Sequence, residues 1–202
     1  MSEPLHQYRY QNITISGLPG CGSTTLLKML KEELMFDGWK GFSGGEFMRA
    51  YAAEKGLFDP STKLHHSAAH YEDDFDRQVD MGMREKLSKE SKWIIESWLS
   101  GFMARKLKNT LRVLLVCSND ALKIDRVANR DKVTIEQAKK FIKEREENNF
   151  MEWKKIYGNY NFWSPKYYHL IIDTYSSGPL QTVGKVLDKL GYDNEKIFIT
   201  KK

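Results

Sequence analysis

The stretch ISGLPGCGSTTLL, Ile15 to Leu27, decides the fold. It closes a strand-like run, Asn12 to Ser16, and opens a helical pattern from Gly22 with Leu26, Leu27, Leu30 and Leu34 on one face. Gly17 and Gly22 stand at the spacing of G-x-x-x-x-G-K-[ST], with Gly20 and Cys21 between them. Glycines let backbone N–H groups converge on an anion without Cβ clashes, and a helix N-terminus adds partial positive charge. Thr24, followed by Thr25, supplies the hydroxyl that such loops offer to Mg²⁺. Ser23 stands where the pattern has lysine. The competing reading is a glycine-rich turn with no ligand. The three glycines, Thr24 and the flanking strand and helix favour a phosphate cradle whose missing cation comes from an arginine elsewhere.

Working outward, apolar runs alternate with helical patterns, which predicts an α/β fold: one parallel sheet of five strands flanked by helices. The further strands are Trp39 to Ser43, "KWIIES", "RVLLVCS" and "YYHLIIDT". The first helix should end near Asp37-Gly38, and residues Thr62 to Lys89 read as mostly helical. Ser177 to Pro179 caps a closing helix carrying Leu180, Val183, Val186, Leu187 and Leu190. Lys123 to Lys155 is long and charged, with a capping box at Thr134 and Gln137. It reads either as a mobile flap over a cleft or as a solvated helical pair.

The 202 residues suffice for a single domain with a real core. Charged residues make up 29% and aromatics 12%, the balance of a globular and not a disordered chain, and no apolar run reaches the roughly 20 residues that span a membrane. The first residues lack the pattern of a secretory signal. Two cysteines, Cys21 and Cys117, fit a reducing compartment, and a cytoplasmic location is expected. A net charge of +5 suits an anionic substrate without calling for nucleic acid.

With these residues in view, the chain resembles the cytidylate kinase family over Ile13 to about Leu190, in its cytidylate-kinase-like branch. That branch writes its loop G-x-P-G-S-G-T-[ST]-T, so Ser23 is close to its habit and Cys21 matches a serine in size. "SGGEFMRAYAAEKG" resembles the segment whose arginine grips the acceptor phosphate. The resemblance therefore implies an acceptor role for Ser43, Gly44, Gly45 and Arg49. A Gly-Gly turn after a strand independently puts Arg49 near the ligand edge of the sheet, against the alternative of a surface arginine. "DDFDRQVD" resembles the family's D-x-x-[IV]-D and carries Asp76, Arg77 and Asp80. The two carboxylates share a helix face and suit an acceptor's ribose or base, or simply solvent.

"WIIESWLSGFM" is similar to V-[VI]-x-[SG]-R-L-A-G-W-M. Glu96 ends a strand and can assist Mg²⁺ together with Thr24, while Ser97 and Trp98 follow at the acceptor end. Trp98 stands where the family has an acceptor-binding arginine. The later segment resembles R-x-x-R-I-x-x-R-E-G, then R-E-E, then R-Y-x-x-x-Y-G. It implies Arg126, Arg130 and Arg145 as the catalytic cations. Glu152 replaces a family arginine and His169 a family aspartate.

The resemblance implies a P-loop kinase domain with an acceptor-binding insertion over residues 44–90 and a lid over residues 129–160. The expected partners are ATP and a nucleoside monophosphate, CMP or dCMP, with Mg²⁺ as cofactor and the chain a monomer. A P-loop kinase with another acceptor and a silent nucleotide-binding protein are the alternatives. His66 and His70 have metal-binding spacing, with His65 nearby, but an exposed helix explains them better than zinc. The aromatic group Tyr157, Tyr160, Phe162, Trp163, Tyr167 and Tyr168 is expected to pack rather than to stack bases.

Overall fold

The computed structural model describes residues 8–54 and 73–192. Five parallel strands form one sheet in the order β2-β3-β1-β4-β5. These are β1 (Asn12–Gly17), β2 (Lys40–Ser43), β3 (Trp93–Glu96), β4 (Thr110–Val116) and β5 (Leu170–Asp173). Seven helices accompany them among the described residues: α1 (Ser23–Leu34), α2 (Gly44–Glu54), α3 (Asp73–Lys89), α4 (Ser100–Met103), α5 (Asp120–Asp131), α6 (Ile135–Tyr157) and α7 (Pro179–Leu190).

The central strand β1 is buried at every position and pairs with β3 on one side and β4 on the other. Polar residues buried there need partners. Asn12 finds three: its Nδ2 donates to Leu87 O at 3.0 Å and Glu90 O at 2.9 Å, and its Oδ1 accepts from Trp93 N at 2.9 Å. One side chain thus fixes the passage from α3 into β3. On one face of the sheet, Leu26, Leu27, Leu30 and Leu34 of α1 join Val183, Val186, Leu187 and Leu190 of α7 over Ile13, Ile15, Val113 and Leu115. Leu180 departs from the expected apolar face and is 79% exposed; Thr182 takes its place on the buried side of the first turn.

The expected strands all form with ends shifted by one to three residues: β1 runs on to Gly17 and β4 begins earlier, at Thr110, while the others are shorter. The last begins at Leu170, because Pro165–Tyr167 closes a 3₁₀ turn just before it. The helical expectation for Thr62 to Lys89 is met from Asp73 onward; the remainder, with His65, His66 and His70, lies outside the described residues. The capping box at Thr134 is present, and the charged segment becomes α5 and one 23-residue helix, α6. The aromatic group packs as expected around the fully buried Phe162, with Phe102, Trp153 and Trp163 against it. Tyr160 remains 43% exposed at the edge of this group.

A parallel sheet presents the C-terminal ends of all its strands at one edge, and ligands bind there. Here that edge gathers Gly17, Ser43, Glu96, Val116 and Asp173, the last residues of the five strands.

Candidate active site

A cleft of about 550 Å³ runs along this edge. One end is the glycine loop. Gly20 and Gly22 have φ of +81° and +87°, the left-handed region where a side chain is strained. At Gly20 the requirement is double, because a Cβ would lie 2.5 Å from Lys123 O, at the start of α5. At Gly22 a Cβ would meet nothing within 4 Å, so that space is open to a ligand. Thr24 and Thr25 line the cleft as exposed residues of the first turn of α1. Cys21 does not line it: its side chain is buried in the main core, and burial pushes its thiol up to about 11. Its part in the loop is therefore limited to the backbone.

Ser23, at the lysine position, donates to Glu96 Oε1 at 2.7 Å. Ser43 donates to Glu96 Oε2 at 2.8 Å. The ends of β2 and β3 and the start of α1 are thereby tied together beneath the loop. Glu96 and the Thr24 hydroxyl are hard oxygen donors on the cleft wall, the type that Mg²⁺ prefers. Among the described residues no group of three or more His, Cys, Asp or Glu side chains forms a metal cage. The pair fits a cation that keeps waters and shares the oxygens of a bound phosphate.

Arg126, Arg130 and Arg145 all line the cleft, in three different settings. Arg126 is turned onto the protein itself. Its guanidinium donates to Gly20 O at 3.0 Å, Thr174 Oγ1 at 2.9 Å and Thr174 O at 3.0 Å. It braces the glycine loop against the end of β5. Arg130 is held by both oxygens of Asp131 at 2.7 Å, with its own side chain 43% exposed. Arg145 of α6 lies over the ring of Trp98, 4.7 Å from the centroid.

The other end of the cleft is carboxylic and aromatic. Asp76 and Asp80 lie one turn apart on α3 and both line it. Burial, reinforced by nearby Glu152, raises Asp76 to about 6. Burial also raises Asp80 to about 7, opposed by a 2.6 Å hydrogen bond from Tyr157 and increased by Asp76. Glu152 is itself 8% exposed, with Oε2 accepting from Lys155 at 3.0 Å and Oε1 buried without a hydrogen-bond partner. Ser43, Gly44, Gly45, Ser97 and Trp98 line the same end. Gly44 permits a close approach, since a Cβ there would sit 3.0 Å from Ser97 Cβ.

Two expected acceptor residues stand apart. Arg77 is exposed on α3 and is not part of the cleft wall, being turned about 100° around the helix from Asp76. Arg49 lies on α2, and its side chain is outside the described residues. His169 is remote as well: its Nδ1 accepts from Arg112 N before β5, and burial and Arg112 lower its pKa.

The structure adds cleft residues that the sequence reading passed over. Asn149 and Trp153 follow Arg145 at four-residue steps on α6, a spacing that would have revealed them. Thr174, Ser177, Pro179 and Thr182 wall the end beside Arg126; the sequence marked Ser177 and Pro179 only as the start of the closing helix, whose N-cap is Gly178.

A glycine loop between a central parallel strand and a helix, with cations converging from later helices, defines a P-loop phosphotransferase. The cytidylate kinase-like family model matches residues 12–176. The chain is 33% identical over 171 residues to the cytidylate kinase of Pyrococcus furiosus, covering 83% of this chain and 81% of that protein. It is 31% identical over 163 residues to the cytidylate kinase of Haloarcula marismortui, covering 80% of each. Among solved structures it is similar to a gluconokinase from Sinorhizobium meliloti, with a TM-score of 0.58, 11% identity and coverage of 97% and 100%. It is also similar to a shikimate kinase from Acinetobacter baumannii, with a TM-score of 0.51, 14% identity and 96% of each chain covered. At such identities these two likenesses concern the fold. The chain belongs to the cytidylate kinase-like family, a family of nucleoside monophosphate kinases.

Proposed function

We propose that the protein transfers the γ-phosphoryl group of ATP to a nucleoside monophosphate, CMP or dCMP in the first place. The observation that carries this reading is the single continuous cleft, with the glycine loop at one end and Asp76, Asp80 and Trp98 at the other. Donor and acceptor can lie end to end in it, which phosphoryl transfer requires. Residues 44–90 serve as the acceptor-binding insertion and residues 129–160 as the lid.

The loop amides and the N-terminus of α1 hold the donor phosphates. Thr24 and Glu96 would hold Mg²⁺, which supplies charge neutralisation at the β- and γ-phosphates. Arg130 and Arg145 offset the charge that develops as an acceptor phosphate oxygen bonds to the γ-phosphorus and the bond to ADP breaks. Arg126 keeps the loop in shape. Asp76 and Asp80 face the acceptor's base or ribose. An acid held near neutrality can donate as well as accept, which matches a base edge carrying an amino group beside a ring nitrogen. No covalent enzyme intermediate is involved.

A second reading, a P-loop kinase with a different acceptor, is favoured by one observation. Glu152 adds a third carboxylate to Asp76 and Asp80, where an anionic acceptor would gain more from a cation. An ADP-release assay over the common ribo- and deoxyribonucleoside monophosphates, with uncharged hydroxyl acceptors alongside, separates the two. Turnover greatest with CMP or dCMP supports the first. Turnover with an uncharged acceptor alone supports the second, and ATP binding without any turnover defeats both.

A further inference from the structure

Trp98 projects from a corner that is pinned to the central strand. Ser97 N donates to Ile15 O at 3.2 Å, Ser100 Oγ donates to Ile15 O at 3.0 Å, and Gly101 N donates to Ser16 Oγ at 2.9 Å. A ring carried on such a corner has a fixed place. It is further supported by Trp153, whose ring meets it at 5.5 Å between centroids and 70° between planes. The Arg145 guanidinium lies 4.7 Å from the centroid of the Trp98 ring. Arg145 and Trp153 both belong to the stripe of α6 that lines the cleft. This stripe therefore meets the strand-end edge of the sheet through Trp98.

We propose that Trp98 is a positioning residue for Arg145. The indole holds the guanidinium over the cleft, so the residue at this corner acts through the arginine of α6 and not on the acceptor directly. The ring face that Arg145 covers is closed to an acceptor base. A cation placed over an indole face is attracted by the ring quadrupole. A guanidinium already held in this way has less rotamer freedom to lose when it meets a phosphoryl group. The effect of Trp98 then falls on turnover and not on acceptor affinity. The inference rests on the proposed role of Arg145 at the transferring group.

A double-mutant cycle on the full chain tests it. Trp98→Leu, Arg145→Ala and the double variant are assayed with ATP and CMP, and with ATP alone for basal hydrolysis, which needs no acceptor. Trp98→Leu should lower kcat by about tenfold while the KM values for CMP and ATP stay within about twofold. Trp98→Phe, which keeps an aromatic face, should recover most of the loss. In the Arg145→Ala background Trp98→Leu should cause no further loss in either assay. Trp98→Met fills the volume without a π face and replaces Trp98→Leu if that variant does not fold.

Losses that multiply in the double variant overturn the inference, as does a raised KM for CMP with kcat unchanged. If the native chain phosphorylates no nucleotide but the two losses still fail to multiply in ATP hydrolysis, the acceptor reading falls and the inference stands. If they multiply in hydrolysis, the inference falls whatever the acceptor.

Discussion

Ser23 and Glu96 are joined by a 2.7 Å hydrogen bond between the first helical residue after the glycine loop and the last residue of β3. The position that usually sends a cation to the phosphates here sends a hydroxyl to a carboxylate. With Ser43 on its other oxygen, Glu96 is held from both sides while only 6% exposed. Ser23→Ala would leave one buried carboxylate oxygen without this donor. A loss of about 1–3 kcal/mol in unfolding free energy is expected, read by urea denaturation. An unchanged midpoint would show that water replaces the hydroxyl at no cost.

Gly20 and Gly22 share a left-handed backbone but not a neighbourhood. Gly20→Ala drives a Cβ into Lys123 O and should cost about 1–3 kcal/mol of stability together with ATP affinity. Gly22→Val meets no protein atom at its Cβ, so its main effect should be on the ligand. ATP affinity should fall by at least about tenfold, measured by calorimetry, with a smaller shift in melting temperature than for Gly20→Ala. ATP affinity unaltered in Gly22→Val would place the donor site elsewhere.

Arg126 and Arg130 should separate kinetically, although both are cleft arginines four residues apart. Arg126→Ala removes donors from Gly20 O and from Thr174, so the loop loses its brace. Its ATP affinity should fall about tenfold, corresponding to one charge-assisted hydrogen bond. Arg130→Ala should instead lower kcat by ~10²-fold with a smaller change in ATP affinity, because charge accumulates on the transferring group. Steady-state kinetics with ATP titrations decide it; equal losses of binding and turnover in Arg130→Ala would contradict the assignment.

Stability should fall as pH rises through the range set by Asp80. Its carboxyl is raised to about 7 by burial, whereas in the unfolded chain it titrates near the ordinary 3.8. Between these values the folded chain keeps a proton that the unfolded chain has released, so stability declines from about pH 4 to about pH 7 and then levels off. Asp76, raised to about 6, acts in the same direction. Asp80→Asn keeps an acceptor for Tyr157 and removes the charge. It should raise the melting temperature at pH 8 by roughly 2–4 °C, about 1 kcal/mol in a chain of this length, and flatten the profile. A wild-type melting temperature that is level between pH 5 and 8 would argue against a raised Asp80.

The α/β class, the five strands and the glycine loop were legible because each rests on a local pattern: a buried strand, a glycine spacing, an apolar helix stripe. The capping box at Thr134 was legible for the same reason. The site was legible only where residues adjoin a motif. Side-chain direction was not, because it depends on packing between distant segments. Arg126 sits in an arginine pattern, yet Thr174, 48 residues on, turns it toward the loop backbone. Arg77 lies one residue from Asp76 and is still exposed outside the cleft wall. Trp98 read as a lost acceptor contact, and the Arg145 that covers its ring comes from a helix 47 residues later.

The brace between Arg126, Gly20 and Thr174 also bears on the order in which a ribosome delivers the chain. The phosphate loop emerges well before its supports, which follow about 100 and 150 residues later, at synthesis rates of roughly 5–20 residues per second. The central strand likewise waits for β3 before its first edge is paired and for β4 before its second. A nascent chain stalled before Thr174 should therefore carry the glycine loop but hold ATP poorly, and nucleotide capture should appear only as β5 leaves the exit tunnel.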